Sequence, residues 1–219
     1  MILLNILNIA MNVNSMIVDN FDKIEPLLYF EPNGKTIILV WIVSRHKDGN
    51  TTVKGSNRVR TVKSYHFQSK EHFLEKKDEI KTLCDTFNCR AYICLNTKPL
   101  LKTLFKLQEI IQNNIQGLMS SKQIISLRGT IDSAIMKSEG IKGHKFWLID
   151  VDTKDEGVLN KVLQEINSAQ SGFENPVEAV IDTVSGRHVI TRPFDRRVLT
   201  SSDVVSLQTQ CLALLYCNV

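Results

Sequence analysis

The 219-residue sequence has no Cys-x-x-Cys pair, although it contains five cysteines: Cys84, Cys89, Cys94, Cys211 and Cys217. Cysteines paired at short spacing are common ligands of a structural zinc ion, so their absence argues against such a site. The number of cysteines is odd, and three of them lie in or beside apolar runs, which favours buried, reduced thiols. We therefore expect a protein of a reducing intracellular compartment, the cytoplasm.

An uninterrupted apolar run long enough to span a membrane is also missing. Residues 1–13 (MILLNILNIAMNV) are apolar, but they have no basic leader, and Asn5, Asn8 and Asn12 interrupt them. We interpret them as a packing segment, with helix, strand and disordered tail all open. The chain is 43% hydrophobic and 23% charged, which indicates a folded protein rather than a disordered one. Its net charge of +4 permits nucleic-acid or nucleotide partners without requiring them.

The spacing of apolar residues predicts an α/β (α+β) fold. In the first half it predicts strands at 36–43 and 90–96, and helices at 69–88, 99–115 and 119–143. The run at 36–43 is short and rich in β-branched residues, as in a strand that is buried on both faces. Ser69 is a suitable cap for the first helix, and Pro99 can open the second.

A basic stretch follows the first predicted strand. Between positions 45 and 63 the basic residues are Arg45, Lys47, Lys54, Arg58, Arg60 and Lys63, against the single acid Asp48. Glycines and asparagines in the same stretch supply turn residues, so we predict a cationic loop or hairpin. It is either a solvated surface loop or an arm that contacts nucleic-acid phosphates.

The second half shows a clearer pattern. Residues 145–152 (KFWLIDVD) predict a strand that ends in two acids, and Thr153 with Glu156 matches a capping box for a helix at 158–166. Strands at 177–183 and 187–192 follow, and an apolar run at 212–216 predicts a last strand. We predict that residues 119–219 form a sheet like that of the RNA-recognition motif (RRM) or ferredoxin, and that residues 1–118 form an α/β N-terminal lobe with the basic loop.

Asp150 and Asp152 stand at the end of the strand at 145–152. Because side chains alternate along a strand, both carboxylates point to the same face, about 6.5–7 Å apart at their Cα atoms. Two adjacent carboxylates repel each other, and a divalent cation such as Mg²⁺ or Mn²⁺ removes this repulsion. The alternative is that these acids cap the next helix or pair with a lysine.

The hairpin Ser185-Gly186-Arg187-His188 lies in the same predicted unit. Its glycine permits close backbone approach, and the other three side chains offer hydrogen-bond donors. The helix after Asp152 would aim its N-terminal N–H groups at the end of the strand, where they could bind an anion. A single histidine on a strand is usually structural, but here it adjoins serine, arginine and an acidic pair.

An apolar strand ending in Asp150 and Asp152, followed by a hairpin with Ser185 and His188, resembles the archaeo-eukaryotic primase superfamily, the primase-polymerases. The resemblance covers residues 144–195. It implies that the two aspartates are catalytic and hold Mg²⁺ or Mn²⁺, and that Ser185, Arg187 and His188 bind the phosphates of a nucleoside triphosphate. The implied activity is two-metal nucleotidyl transfer on nucleic acid, as in DNA replication. Arg45, Lys47, Lys54, Arg58 and Arg60 would then guide the template.

The family also carries a third carboxylate on a late apolar strand. Residues 212–219 contain no acid, which leaves Asp182, Asp195 and Asp203 as substitutes. A second interpretation is a non-catalytic module that binds single-stranded nucleic acid or a nucleotide through basic loops and exposed aromatics such as Tyr65, Tyr92 or Trp147. A metal-dependent nuclease is the third, although no Glu-x-Lys partner is evident. A structural or regulatory protein is the fourth.

Overall fold

The computed structural model describes residues 16–48, 59–117, 127–169, 172–200 and 202–219 of the chain. The described strands are β1 (Ile17–Asp19), β2 (Thr36–Arg45), β3 (Val59–Phe67), β4 (Arg90–Cys94), β5 (Lys98–Pro99), β6 (Trp147–Val151), β7 (Val177–Asp182), β8 (Arg187–Thr191), β9 (Val205–Gln208) and β10 (Leu212–Asn218). The described helices are α1 (Phe21–Ile24), α2 (Lys70–Glu75), α3 (Lys77–Phe87), α4 (Leu100–Gly117), α5 (Leu127–Lys137) and α6 (Glu156–Ser168). The strands form two antiparallel sheets with helices packed on them, so the predicted α+β class is confirmed.

The larger sheet has the strand order β1-β10-β4-β2-β3, and β5 pairs separately with β2. β2 is buried on both faces, as its β-branched apolar run predicts. Ile38 and Val40 pack in one core cluster with Ile80 of α3. Leu39, between them, points the other way and packs with Ile135 of α5. β2 therefore packs against α3 on one face and against α5 on the other.

The helix predicted at 69–88 is confirmed, but it is divided in two. Ser69 caps α2 and accepts a hydrogen bond from the His72 N–H at 3.2 Å. Lys76 ends α2 and begins α3, and α3 ends at Asn88, which has a left-handed backbone (φ 47°). α4 confirms the helix predicted at 99–115, and α5 confirms part of the one predicted at 119–143. Residues 118–126 and the apolar segment 1–13 lie outside the described residues.

The smaller sheet has the strand order β7-β8-β6-β9. Residues of α6 pack against one face of it, in a cluster that includes Ile149, Val151, Leu159, Val162, Ile166 and Val189. On the opposite face, Leu148 and Ile190 join the core cluster of the larger sheet. The smaller sheet is therefore covered by α6 on one side and by the larger sheet on the other.

The cap predicted for α6 is wrong by two residues. The helix begins at Glu156, and Asp155 caps it by accepting a hydrogen bond from the Gly157 N–H at 2.7 Å. Thr153 instead accepts a hydrogen bond from the Asp155 N–H at 3.2 Å. Aspartate is among the strongest N-cap residues, and it stands directly before the first helical turn. Its carboxylate takes one of the N–H groups that we expected to be open to an anion.

The last strand also departs from the prediction. β10 does not complete the smaller sheet but lies between β1 and β4 in the larger one, with Ala213 opposite Ile93 and Cys217 opposite Val18. β10 is apolar on both faces, which suits the interior of a sheet that is covered on both sides. The fourth strand of the smaller sheet is β9, which our sequence analysis missed.

The RRM-like arrangement is not confirmed. A 3₁₀ turn at Arg196–Val198 stands between β8 and β9, where such a module has its second helix. A boundary near residue 118 would also separate β10 from the sheet that it completes. The two halves of the chain are therefore joined through the larger sheet.

Two buried asparagines connect the two sheets by hydrogen bonds, in addition to the apolar contacts between the sheets. The side-chain amide of Asn20 donates to the carbonyl oxygens of Asp182 and Leu214, both at 2.9 Å. Asn96 donates to the carbonyl oxygen of Phe146 at 3.0 Å and accepts from the Phe146 N–H at 2.6 Å. Buried polar groups that are fully hydrogen-bonded fix one relative position of the elements they connect.

All five cysteines lie in the described residues and are buried and unbridged, as predicted. Burial raises the pKa of the Cys84 and Cys211 thiols, which keeps these thiols protonated. None of the helices in the described ranges has the length and apolar composition that a membrane crossing requires.

The position of β10 inside the larger sheet predicts a large effect of Leu215→Ala. Leu215 is completely buried, so its truncation leaves a cavity that should cost about 2–5 kcal/mol of the free energy of unfolding. The matched control is Leu101→Ala on α4, where the side chain is 65% exposed and the expected change is within about 0.5 kcal/mol. Urea unfolding measures both. Equal effects of the two substitutions would contradict the placement of β10.

Candidate functional site

A cleft of about 820 Å³ opens between the two sheets. The larger sheet and the turn after β2 contribute Trp41, Val43, Arg45, Asp48, Val59, Thr61, Arg90, Tyr92, Leu212 and Leu214 to its lining. The smaller sheet and its hairpin contribute Asp150, Asp152, Thr183, Val184, Ser185, His188 and Gln208. One wall is therefore aromatic and cationic, and the other carries carboxylates, hydroxyls and an imidazole.

Asp150 and Asp152 share the cleft, as the alternation of β6 predicts. Leu148 lies two residues before Asp150 on the same face of β6 and is buried in the core between the sheets. This face of β6 therefore becomes polar at Asp150, where the sheets separate and the cleft opens. The pKa of Asp150 is raised, first because burial disfavours its charge and then because Asp152 repels it. Arg45, on the other wall, opposes this shift. A cation between the two carboxylates would be favoured for the same electrostatic reasons.

His188 lies directly opposite Asp150 on the neighbouring strand. Its Nδ1 accepts a hydrogen bond from the Leu214 N–H at 3.3 Å, and its Nε2 lies 3.6 Å from an Asp150 oxygen. Burial lowers the pKa of His188 to about 4, although Asp152 acts in the opposite direction. The imidazole is therefore neutral at pH 7. Because Nδ1 is an acceptor, the proton is on Nε2, which faces the cleft.

The hairpin between β7 and β8 brings Ser185 to the acids. The Ser185 hydroxyl donates a hydrogen bond to the Asp152 carboxylate. The hairpin is tightened by the Gly186 N–H, which donates to the Thr183 hydroxyl at 2.9 Å. A Cβ atom on Gly186 would stand 1.9 Å from the carbonyl oxygen of Val151. Glycine is therefore required for this close approach, which sets the distance between Ser185 and Asp152.

Arg187 does not join this group. It follows Gly186 but points to the face of the sheet opposite to His188, since adjacent strand residues alternate. There it lies 3.4 Å from Glu156 and 3.3 Å from Asp182. Of the residues that the resemblance implies, the structure thus brings together Asp150, Asp152, Ser185 and His188, but leaves Arg187 in a separate ion-pair cluster.

The basic residues predicted to contact nucleic acid are distributed unevenly. Arg45 ends β2 in the cleft and donates a hydrogen bond to the Tyr92 hydroxyl at 3.0 Å. Arg60 is exposed on β3 and does not line the cleft. Lys54, Arg58 and the side chain of Lys47 lie outside the described residues. β2 and β3 pair antiparallel, with Arg45 opposite Val59, and residues 49–58 between them lie outside the described residues.

A third carboxylate free to bind metal is absent from the described part of the cleft. Asp182 lies 3.1 Å from Lys23, and Asp195 caps a 3₁₀ turn and pairs with Arg197. Asp203 is exposed outside the cleft. Asp48 does line the cleft, but it makes a bidentate pair with Arg90 at 2.8 and 2.5 Å.

The donor set fits one divalent cation better than two. Mg²⁺ often binds through one or two carboxylates and completes its coordination with water and substrate phosphates, and Asp150 and Asp152 supply that number. Among the described residues there is no group of three or more histidine, cysteine, aspartate or glutamate side chains that could hold a metal ion.

The sequence analysis did not predict most of the wall that faces Asp150 and Asp152, which the larger sheet forms. Trp41 and Arg45 are on one face of β2, a pattern that the alternation of the strand could have shown. Of the aromatics expected to be exposed, Tyr92 lines the cleft, but Tyr65 is buried and hydrogen-bonded to Glu79 at 2.7 Å. Trp147 packs against Phe194 on the other face of the smaller sheet, because it alternates with Leu148.

Comparisons of this chain with protein-family models, with curated proteins and with solved structures find no match. The case for a function therefore rests on the geometry of the cleft and on the order of its motifs along the chain.

The close approach at Gly186 predicts that Gly186→Ala lowers stability. The added methyl group would force the hairpin away from Val151, at a cost of about 1–3 kcal/mol in the free energy of unfolding. Gly172→Ala is the matched control, since a Cβ atom at that position meets nothing within 4 Å. Thermal unfolding compares the two variants. A melting temperature of Gly186→Ala equal to that of Gly172→Ala would show that the hairpin is not so tightly placed.

Burial of neutral His188 predicts a specific pH dependence. The pKa is about 4 in the folded protein and about 6.5 in the unfolded chain, so only the unfolded chain takes up this proton as the pH falls from 6.5 to 4. The stability that His188 contributes should be complete above pH 6.5 and lost across that window, by up to about 3 kcal/mol. Urea unfolding at pH 7.0 and 4.5 measures the loss.

His188→Gln, which cannot titrate, is the comparison for this measurement. Asp150, with its raised pKa, contributes a slope of the opposite sign in both proteins, so the difference between the proteins isolates the imidazole. Identical pH slopes in wild type and variant would refute a buried neutral histidine.

Proposed function

We propose that this protein is a primase-polymerase-like nucleotidyltransferase that acts on nucleic acid. The observation that carries the proposal is the convergence of Asp150, Asp152, Ser185 and His188 in one cleft. These residues come from two separate motifs, and their order along the chain matches that of the primase-polymerases. A strand pair places the acids beside the histidine, and a tight hairpin places the serine beside the second acid.

In this proposal the two aspartates, the histidine and Arg45 have different roles. Asp150 and Asp152 hold Mg²⁺ or Mn²⁺, which when bound supplies positive charge that stabilises the phosphoryl oxygens. The Nε2–H group of His188 donates a hydrogen bond to a phosphate oxygen of the nucleoside triphosphate, and the neutral ring does not repel the cation. Arg45 adds a fixed positive charge on the opposite wall, where the charge of the triphosphate or of the nucleic-acid backbone would be stabilised.

Nucleotide incorporation on primed and unprimed templates with Mg²⁺ or Mn²⁺ tests this function. Wild type should incorporate nucleotide, and Asp150→Asn and Asp152→Asn should each lose about 100-fold or more because the carboxylate that holds the cation is gone. Asp203→Asn, which changes an exposed acid outside the cleft, should keep full activity. Incorporation that survives in both cleft variants would refute the assignment. So would a wild type with neither incorporation nor a nucleotide-induced thermal shift.

A second candidate is a non-catalytic module that binds a nucleotide or single-stranded nucleic acid in the same cleft. It is favoured by one observation: in the described cleft only Asp150 and Asp152 are carboxylates without a lysine or arginine partner, because Asp48 is paired with Arg90. This candidate predicts salt-sensitive binding of single-stranded nucleic acid that persists in Asp150→Asn, without incorporation by the wild type.

A further inference from the structure

The wall of the cleft that faces the acids carries two aromatic side chains to which the proposed function assigns no role. Trp41 on β2 and Tyr92 on β4 stand directly opposite each other in the strand register and both line the cleft. Side chains at such positions are neighbours on one face of a sheet, about 4.5–5.5 Å apart at Cβ. The two side chains therefore lie on neighbouring strands of the same wall of the cleft, and we call this pair the aromatic wall.

The aromatic wall is only partly buried, unlike the opposite face of the same two strands. Val40 and Ile93, which also pair across β2 and β4, are completely buried, whereas Trp41 and Tyr92 keep part of their surface accessible. Two large aromatic rings in partial contact with solvent inside a cleft leave an apolar surface that a planar ligand can cover.

Both rings are held in position by their polar atoms. The Trp41 indole N–H donates to Asp132 at 2.8 Å, and the other oxygen of Asp132 lies 2.7 Å from His66 Nε2. Burial would raise the pKa of Asp132, but hydrogen bonds from His66 and Trp41 outweigh it and hold the pKa below its ordinary value. Asp132 is thus an ionised anchor for the indole. The Tyr92 hydroxyl is held by Arg45, so neither ring needs to be ordered when a ligand binds.

We propose that the aromatic wall stacks the base of a nucleotide whose phosphates lie at the acid and histidine wall. This inference rests on the proposed function and deepens it, because it assigns the base of the nucleoside triphosphate to Trp41 and Tyr92. The cleft volume of about 820 Å³ is in the range of small-molecule sites. Stacking on an aromatic ring accepts any of the common bases, so recognition by the wall is general for nucleobases.

Fluorescence titration of the full chain tests the proposal. The protein has two tryptophans, so Trp147→Phe leaves Trp41 as the single reporter, and Trp147 lies on the other face of the smaller sheet. With Mg²⁺ present, ATP should quench Trp41 and bind about tenfold or more tightly than tripolyphosphate. Tyr92→Phe and Tyr92→Leu both lose the hydroxyl that Arg45 holds, but only Tyr92→Phe keeps the ring. Tyr92→Leu should therefore bind ATP about tenfold more weakly than Tyr92→Phe, while the two variants bind tripolyphosphate equally.

Different results would refute base stacking on the aromatic wall and the proposed function itself. If tripolyphosphate binds with Mg²⁺ and ATP binds no better, or if Tyr92→Leu binds ATP as tightly as Tyr92→Phe, base stacking on the wall is refuted while the phosphate site stands. If neither ligand binds in a Mg²⁺-dependent manner, the proposed function is refuted and the inference falls with it.

Discussion

The hydrogen bond from the Leu214 N–H to Nδ1 of His188 is the interaction on which the site depends. It connects β10 of the larger sheet to β8 of the smaller one, at the point where the packed core ends and the cleft begins. It also determines the tautomer of the imidazole, because a nitrogen that accepts a hydrogen bond cannot carry the proton. A structural contact between two sheets thereby sets the chemical state of a residue in the cleft.

The other residues of the site are positioned by the contacts that join the two sheets and by the hairpin between β7 and β8. Asn20 and Asn96 join the sheets through buried amides, while the polar ends of β6 and β8 face the opening between them. Gly186 lets the hairpin touch the end of β6, so that Ser185 reaches Asp152. Acids, hydroxyl and imidazole are therefore positioned by rigid strands and one tight turn, an arrangement that preorganises a binding site.

Local patterns in the sequence predicted most elements, because β-branched runs and helical spacing act over short distances. The grouping of Asp150, Asp152, Ser185 and His188 was also accessible from the sequence, since strand alternation and one hairpin suffice to place them. The same alternation directs Arg187 away from His188 and toward Glu156, against the role that its motif implies. The position of β10 and the pairing of Trp41 with Tyr92 depend on contacts between distant segments, which no local pattern specifies.

The most direct test of the account is ¹⁵N NMR of the His188 imidazole at pH 7, without and with ATP and Mg²⁺. We expect a neutral ring with its proton on Nε2, and a shift of the Nε2 resonance when the nucleotide binds, because that N–H then donates a hydrogen bond to a phosphate oxygen. A proton on Nδ1, or an Nε2 resonance that stays unchanged while ATP binds in the cleft, would contradict it.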